Sequence, residues 1–171
     1  MGEFYRVIIA MGGNLDYNEE REFATCLKAI SVLRSTRGIR VLAVSHWYES
    51  VPIPPSEQPC YVNGVVLCNV LYDLFTPFTL LDFLHRVEEN YGRVRSVPNA
   101  PRTLDLDLIS YGSLCLEAQR LILPHPRMHK RAFVLLPLSD IYPDWVHPKF
   151  GYNMLQMLEA VQGQGIKRLE T

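Results

Sequence analysis

No run of apolar residues in this chain is long enough to cross a membrane, and its N-terminus lacks the basic-then-apolar order of a secretory leader. No membrane association and a cytoplasmic location are therefore expected. The four cysteines, Cys26, Cys60, Cys68 and Cys115, form no C-x-x-C pair and have no zinc-like spacing with histidine. Free thiols fit a reducing compartment. A net charge of −1 gives no overall attraction for nucleic acid or an anionic membrane. Repeats, low-complexity segments and linkers are also absent, so one domain spanning residues 1–171 is expected. With 48% apolar residues, such a domain can bury a sizeable core.

What is present is concentrated in Pro101-Arg102-Thr103-Leu104-Asp105-Leu106-Asp107-Leu108-Ile109. Alternation from Thr103 to Ile109 predicts a β-strand, because successive side chains leave a strand on opposite faces. Leu104, Leu106 and Leu108 then share the core face. Asp105 and Asp107 share the other, with Cα atoms about 6.5–7 Å apart. Two carboxylates so close repel one another unless a positive group sits between them. Hard oxygen ligands on a rigid strand suit Mg²⁺, which takes one or two carboxylates plus substrate phosphates. The plain alternative is a solvated polar face on an edge strand.

Around that strand the sequence predicts a β-α-β-β-α-β order. A first strand covers Tyr5 to Met11 and ends at Gly12-Gly13. Asp16 or Asn18 caps a helix from about Glu19 to Ser35, with Phe23, Cys26, Leu27, Ile30 and Leu33 as its apolar face. A second strand follows over Gly38–Glu49, then an irregular loop from Ser50 to Pro59 with four prolines. Tyr61 to Tyr72 forms a third strand. Thr76-Pro77 opens a second helix that Gly92 ends. This order predicts an α+β, ferredoxin-like fold with helices on one face of an antiparallel sheet. A C-terminal extension, with paired strands at 114–117 and 120–123 and helical pieces at 127–139 and 152–161, is expected to cover the free face or end of the sheet.

Cationic groups crowd the same stretch: Arg93, Arg95, Arg102, Arg120, Arg127, Lys130 and Arg131. Guanidinium forks match phosphate oxygens, and acidic metal ligands flanked by arginines describe a polyphosphate site. Singly, each arginine could equally pair with Glu88, Glu89 or solvent. After the proline-rich loop, Tyr61 and Asn63 lie on one strand face, a ring that can stack and an amide that can both donate and accept. Gly12-Gly13 carries no phosphate-loop or dinucleotide fingerprint and reads as a tight connection. His125, between Pro124 and Pro126, can donate to a phosphate or simply pack; His46, His85, His129 and His147 read as structural or exposed.

Taken together, Gly12-Gly13-Asn14-Leu15, Glu57-Gln58-Pro59 with Tyr61 and Asn63, Gly92-Arg93-Val94-Arg95, the Pro101–Asp107 string, and Pro124-His125 with Arg131 and Phe133 resemble the 6-hydroxymethyl-7,8-dihydropterin pyrophosphokinase family of folate biosynthesis, over residues 6 to 145. The resemblance implies a monomer whose substrates are ATP and the hydroxymethyl dihydropterin. Carried over by position, it implies that Asp105 and Asp107 hold two Mg²⁺ ions and that Arg93 and Arg102 close over the triphosphate. Arg95, Arg120, His125 and Arg131 would hold ATP, with Glu88 and Leu108 lining its pocket. Tyr61 and Phe133 would sandwich the pterin, Asn63 would read its edge, and Ser50, Val51 and Ile53 would offer backbone contacts. The chain departs from the family where Ser96–Ala100 replaces a segment that often contains Arg-Trp-Gly, where Pro126 replaces a tyrosine, and where Gly13 replaces a serine.

Pyrophosphoryl transfer needs positioning and charge neutralisation more than a protein nucleophile, and no strong nucleophile stands out. Two other readings use parts of the same pattern. A ferredoxin-like RNA-binding module would need aromatic central strands and a basic sheet face. A metal-dependent phosphodiesterase would use the same carboxylates and require a base to activate water.

Overall fold

The computed structural model describes residues 2–19, 21–95 and 97–170, and the first strand lies at its centre. β1 (Phe4–Gly13) is buried from Val7 onward, as an unbroken apolar run requires of a strand covered on both faces. It pairs antiparallel with β4 (Tyr61–Leu71) on one side and with β5 (Asp105–Tyr111) on the other. β2 (Ile39–Val44) and β3 (Tyr48–Ser50) both run along the far edge of β4, and β8 (Ile166–Arg168) extends β3. Counting β2 and β3 as one interrupted strand gives the expected ferredoxin-like α+β order.

Each sheet face has its own core. α1 (Glu22–Ser35) and α2 (Pro77–Asn90) pack on one face through Cys26, Ile30, Leu33, Leu80, Leu84 and Val87 against Val7, Ile9, Val66, Leu104, Leu106 and Leu108. α2 starts as expected: the Thr76 side chain accepts from the Thr79 N–H at 3.3 Å, and Pro77 opens the first turn. It ends at Gly92, whose φ of +82° suits glycine. The extension covers the other face, as predicted. α3 (Ala132–Ile141) and α4 (Met154–Ala160) set Val134, Leu135, Leu138 and Met157 over Ile8, Ala10, Val65, Leu67 and Ile109. The short strands β6 (Leu116–Glu117) and β7 (Ile122–Leu123) pair antiparallel beyond β5.

Four expectations need correction. The first helix begins at Glu22, and neither Asp16 nor Asn18 caps it; Asn18 and Glu19 have φ of 50° and 64°, so the chain is still turning there, and Glu20 lies outside the described residues. Leu27 is exposed rather than on the apolar face, which Ala29 joins instead. The single strand over 38–49 is broken at 45–47. The Ser45 hydroxyl accepts the Val65 N–H at 2.9 Å, and the Trp47 ring packs so close to Gly64 that a Cβ there would stand 2.8 Å from it. β8 was not foreseen at all.

Cys26 and Cys68 are buried, which pushes both thiols up to about 12; all four cysteines are free. Among the described residues, no helix is long and apolar enough to cross a membrane.

Candidate active site

Cross-strand partners share a sheet face, so the register shows what faces what. Gly12 pairs with Asn63 on β4 and with Asp105 on β5, which makes one row of Asp105, Gly12 and Asn63. The next row is Asp107, Ala10 and Val65. Farther along, the same face is the apolar floor beneath α3. The face is therefore polar at the end α3 leaves open and apolar where α3 lies. Gly12 keeps the middle of the polar row bare: a Cβ there would stand 2.6 Å from the Val62 carbonyl oxygen and 3.2 Å from Asn63 Oδ1.

A cavity of about 460 Å³ opens over this end. Every residue to which the resemblance gave a metal, ATP or pterin role lines it except Glu88. Its lining brings Ser50, Val51, Ile53, Tyr61, Asn63 and Phe133 together with Asp105, Asp107, Arg93, Arg102 and Arg131, and with Arg95, Leu108, Arg120 and His125.

Asp105 is held by two arginines: Arg93 Nη1 donates to its Oδ1, and Arg102 Nη1 to its Oδ2 at 3.1 Å. Asp107 makes no hydrogen bond or ion pair among the described residues. Burial, and then the neighbouring Asp105 carboxylate, push its carboxyl up to about 7, against the pull of Arg131. No three or more His, Cys, Asp or Glu side chains cluster as a possible metal site among the described residues. A cation here would thus rest on two carboxylates plus oxygens from a substrate, a donor set that suits Mg²⁺.

Glu88 lies behind the wall. Its Oε1 accepts Arg93 Nη1 at 2.5 Å and the Leu106 N–H at 2.7 Å, and its Oε2 accepts Arg95 Nη2 at 2.5 Å. Burial raises its pKa, and the Leu106 N–H and the arginines pull the other way. The place expected for Glu88 in the pocket lining is corrected accordingly: it anchors two arginines to β5. Burial of Arg93 opposes its charge, but Asp105 and Glu88 outweigh this and hold its pKa above the usual range.

His125 is neutral near pH 7. Burial, then Arg131 and Arg127, bring it down to about 4. Its Nδ1 accepts the Arg127 N–H at 3.2 Å, so the ring's hydrogen sits on Nε2. Arg120 pairs with Asp82 at the surface. Asn63 Nδ2 donates to Ser50 Oγ at 2.8 Å and more weakly to the Tyr48 and Tyr61 carbonyls, so its Oδ1 is left as an acceptor. The Val51 N–H is taken by the Gly165 carbonyl at 3.0 Å. Of the backbone contacts expected from Val51, only its carbonyl remains.

Comparison with known proteins decides what this arrangement belongs to. The description of the 7,8-dihydro-6-hydroxymethylpterin-pyrophosphokinase family matches residues 8–143. The chain belongs to that family. It is 42% identical over 154 residues to a 2-amino-4-hydroxy-6-hydroxymethyldihydropteridine pyrophosphokinase of Synechocystis sp., covering 90% of this chain and 75% of that one. The same identity holds over 164 residues to the enzyme of that name from Pseudomonas aeruginosa, covering 96% of each. The fold also matches a wild-type Plasmodium falciparum HPPK-DHPS solved with pteroate, at a TM-score of 0.71 and 10% identity. That match covers 93% of this chain and only 44% of the other, so the chain spans less than half of the parasite protein. Membership in the pyrophosphokinase family leaves the RNA-binding and phosphodiesterase readings without support.

Within the pyrophosphokinase frame, several residues in or behind the cavity wall were not assigned by sequence reasoning. Asn14 is buried and ties together two loops. Its Nδ2 donates to Gln58 Oε1 and to the Pro59 carbonyl, both at 3.2 Å, and its Oδ1 accepts the Arg102 N–H at 2.9 Å. Gln58 in turn receives the Tyr61 hydroxyl at 3.3 Å and donates to the Asn99 carbonyl at 2.9 Å. Asn14 and Gln58 stand in the very motifs that carried the resemblance, so a signal was available. Leu81, His85 and Leu121 also line the cavity, which corrects the reading of His85 as structural or exposed. Of the three departures from the family pattern, Pro126 lies on the cavity wall and Ser96 lies outside the described residues. Gly13 permits close contact, because a Cβ there would meet the Thr103 carbonyl oxygen at 2.6 Å.

Proposed function

We propose that the chain, acting as one domain over residues 1–171, transfers the β,γ-pyrophosphoryl group of ATP to the hydroxymethyl oxygen of 6-hydroxymethyl-7,8-dihydropterin. The bond from that oxygen to Pβ forms, the bridge between Pα and Pβ breaks, the hydroxyl proton is lost and AMP leaves. The reading rests chiefly on the polar row, which sets Asp105 and Asn63 on either side of bare Gly12.

Asp105 and Asp107 are the residues that would hold Mg²⁺, two ions in this reading. The unpaired, raised Asp107 carboxyl fits that role, because a divalent cation would let it ionise. When bound, Mg²⁺ would neutralise triphosphate charge and favour the ionised form of the attacking hydroxyl. The protein's own groups do the rest. Arg93 and Arg102 exchange Asp105 for phosphate oxygens as the triphosphate enters, and Glu88 keeps Arg93 and Arg95 aimed at the cavity. Arg120 and Arg131 add charge, His125 offers an uncharged Nε2–H donor, and Leu108 gives the nucleotide an apolar wall. Tyr61 and Phe133 stack on the pterin, Asn63 Oδ1 accepts from its edge, and Ser50, Val51 and Ile53 border it. A soluble cytoplasmic monomer that needs neither nucleic acid nor a membrane completes the reading.

The test is direct. Mixed with ATP, Mg²⁺ and the dihydropterin alcohol, the protein should release AMP, and EDTA should stop it. Release of ADP instead of AMP would sink the proposal.

A further inference from the structure

Residues 144–171 lie beyond the stretch matched to the family, yet two consecutive residues there touch both groups proposed to border the pterin. Gln164 bonds the start of α3, on either side of Arg131. The Ala132 N–H donates to its Oε1, and its Nε2 donates to the Lys130 carbonyl, both at 2.9 Å. Gly165 meets the proline-rich loop. Its carbonyl accepts the Val51 N–H at 3.0 Å, and a Cβ on it would stand 2.9 Å from Val51 Cγ2. Beyond it, β8 sets Ile166 opposite Ser50 and Arg168 opposite Tyr48, and the Leu169 N–H donates to the Trp47 carbonyl at 2.8 Å.

The first N–H groups of a helix have no partner within it. Arg131, the N-cap residue of α3, supplies no side-chain bond. Gln164 takes that place from 32 residues away, because an uncharged amide can accept from one main-chain group and donate to another. Phe133 follows Ala132 directly, so the cap fixes the turn that carries the ring. From Gln164 to Gly165 is one planar peptide unit, about 3.8 Å between Cα atoms. The loop at Val51 and the turn at Phe133 are therefore held at a set gap by a short, inextensible link. Asp140 also joins α3 to β3, by accepting the Tyr48 hydroxyl at 3.2 Å. That tie lies about 10 Å farther along the helix than Phe133, so the gap beside the ring is left to Gln164 and Gly165.

We infer that Gln164 is a positioning residue for the heterocycle: as the cap of α3, it sets where Phe133 stands relative to the Val51 loop, and so the slot that receives the flat ring. The inference rests on the pterin reading above and adds a residue that acts on the ring through Phe133.

The experiment measures binding of the hydroxymethyl dihydropterin by calorimetry, with Mg²⁺ and a saturating non-hydrolysable ATP analogue present. Gln164→Ala should bind it about tenfold more weakly than wild type, within the range of a single stacking contact. In a Phe133→Ala background the same change should weaken binding by no more than about twofold, because the ring through which it acts is gone. Gln164→Glu keeps the acceptor, and negative charge suits a helix N-terminus, so it should bind more tightly than Gln164→Ala. Gln164→Met fills the same space without either bond and stands in for alanine should that variant fail to fold. Unchanged pterin affinity in Gln164→Ala or Gln164→Met, even with a lowered Tm, would overturn the inference. So would an equal loss with and without Phe133, or no rescue by glutamate. In each of these cases pterin binding by wild-type protein leaves the pyrophosphokinase reading standing. No binding of the pterin by wild type would overturn both.

Discussion

Asp107 gives the sharpest test of the proposed metal site. In the native protein its carboxyl is pushed from an ordinary 3.8 to about 7 by burial and by Asp105. Each tenfold change in a proton equilibrium is 1.36 kcal/mol, so ionising Asp107 in the folded chain costs up to about 4 kcal/mol relative to the unfolded chain. The native state binds the extra proton between those two values. Metal-free protein should therefore lose stability from this group as pH rises from about 4 through 7. His125, held near 4 by burial and by Arg131, has the opposite slope, so the two must be separated. Asp107→Asn removes only the first. Urea unfolding in EDTA, from pH 4.5 to 8, should show the variant gaining on wild type with rising pH, to an advantage of roughly 2–4 kcal/mol at pH 8. Added Mg²⁺ should narrow that gap by stabilising wild type alone, while the variant is nearly inactive. A stability difference that is flat across pH, or Asp107→Asn weaker than wild type at pH 8, would refute the reasoning.

Three other outcomes follow from the packing and the bonds. Glu88→Gln leaves two arginines without their buried counter-charge; it should lower stability by roughly 1–3 kcal/mol in urea and weaken binding of an ATP analogue at least tenfold. Phe133→Ala should weaken pterin binding by about 1–3 kcal/mol by calorimetry with little change for nucleotide, in line with the loss of one stacking ring. Gly64→Ala forces a methyl against the Trp47 ring, 2.8 Å away, and should cost about 1–3 kcal/mol, read as a lowered Tm with catalysis retained.

Much of the molecule is legible in the sequence because its strongest signals are local. The Thr103–Ile109 alternation places Leu104, Leu106 and Leu108 in one core and both aspartates on the opposite face, and the strand does so. Thr76-Pro77 and Gly92 bound α2 for equally local reasons. What escaped depends on partners distant in the chain. Ser45, His46 and Trp47 look compatible with a strand, and only the Val65 N–H and the bare Gly64 explain why the strand breaks there. Pairing of the arginines with Glu88 is one reading of the sequence, but nothing local shows that this carboxylate is buried and also takes the Leu106 N–H of β5. His85 has no neighbour in sequence that marks it as a cavity residue. Asn14 binds Gln58, Pro59 and Arg102, contacts 44, 45 and 88 residues away, and no periodicity could report them.

Gly12, next to the end of β1, also stands midway between the groups proposed to hold the two reactants. Neighbouring strands stand about 4.8 Å apart, so the acid proposed to grip one reactant and the amide proposed to meet the other are separated by two such steps, roughly 10 Å. That gauge is set by main-chain hydrogen bonding and so is indifferent to side-chain substitution. It can change only by a slip in pairing, which would turn every flanking side chain to the wrong surface. Alternative alcohols should therefore be accommodated or refused at the proline-rich rim, with the distance to the phosphorus unchanged.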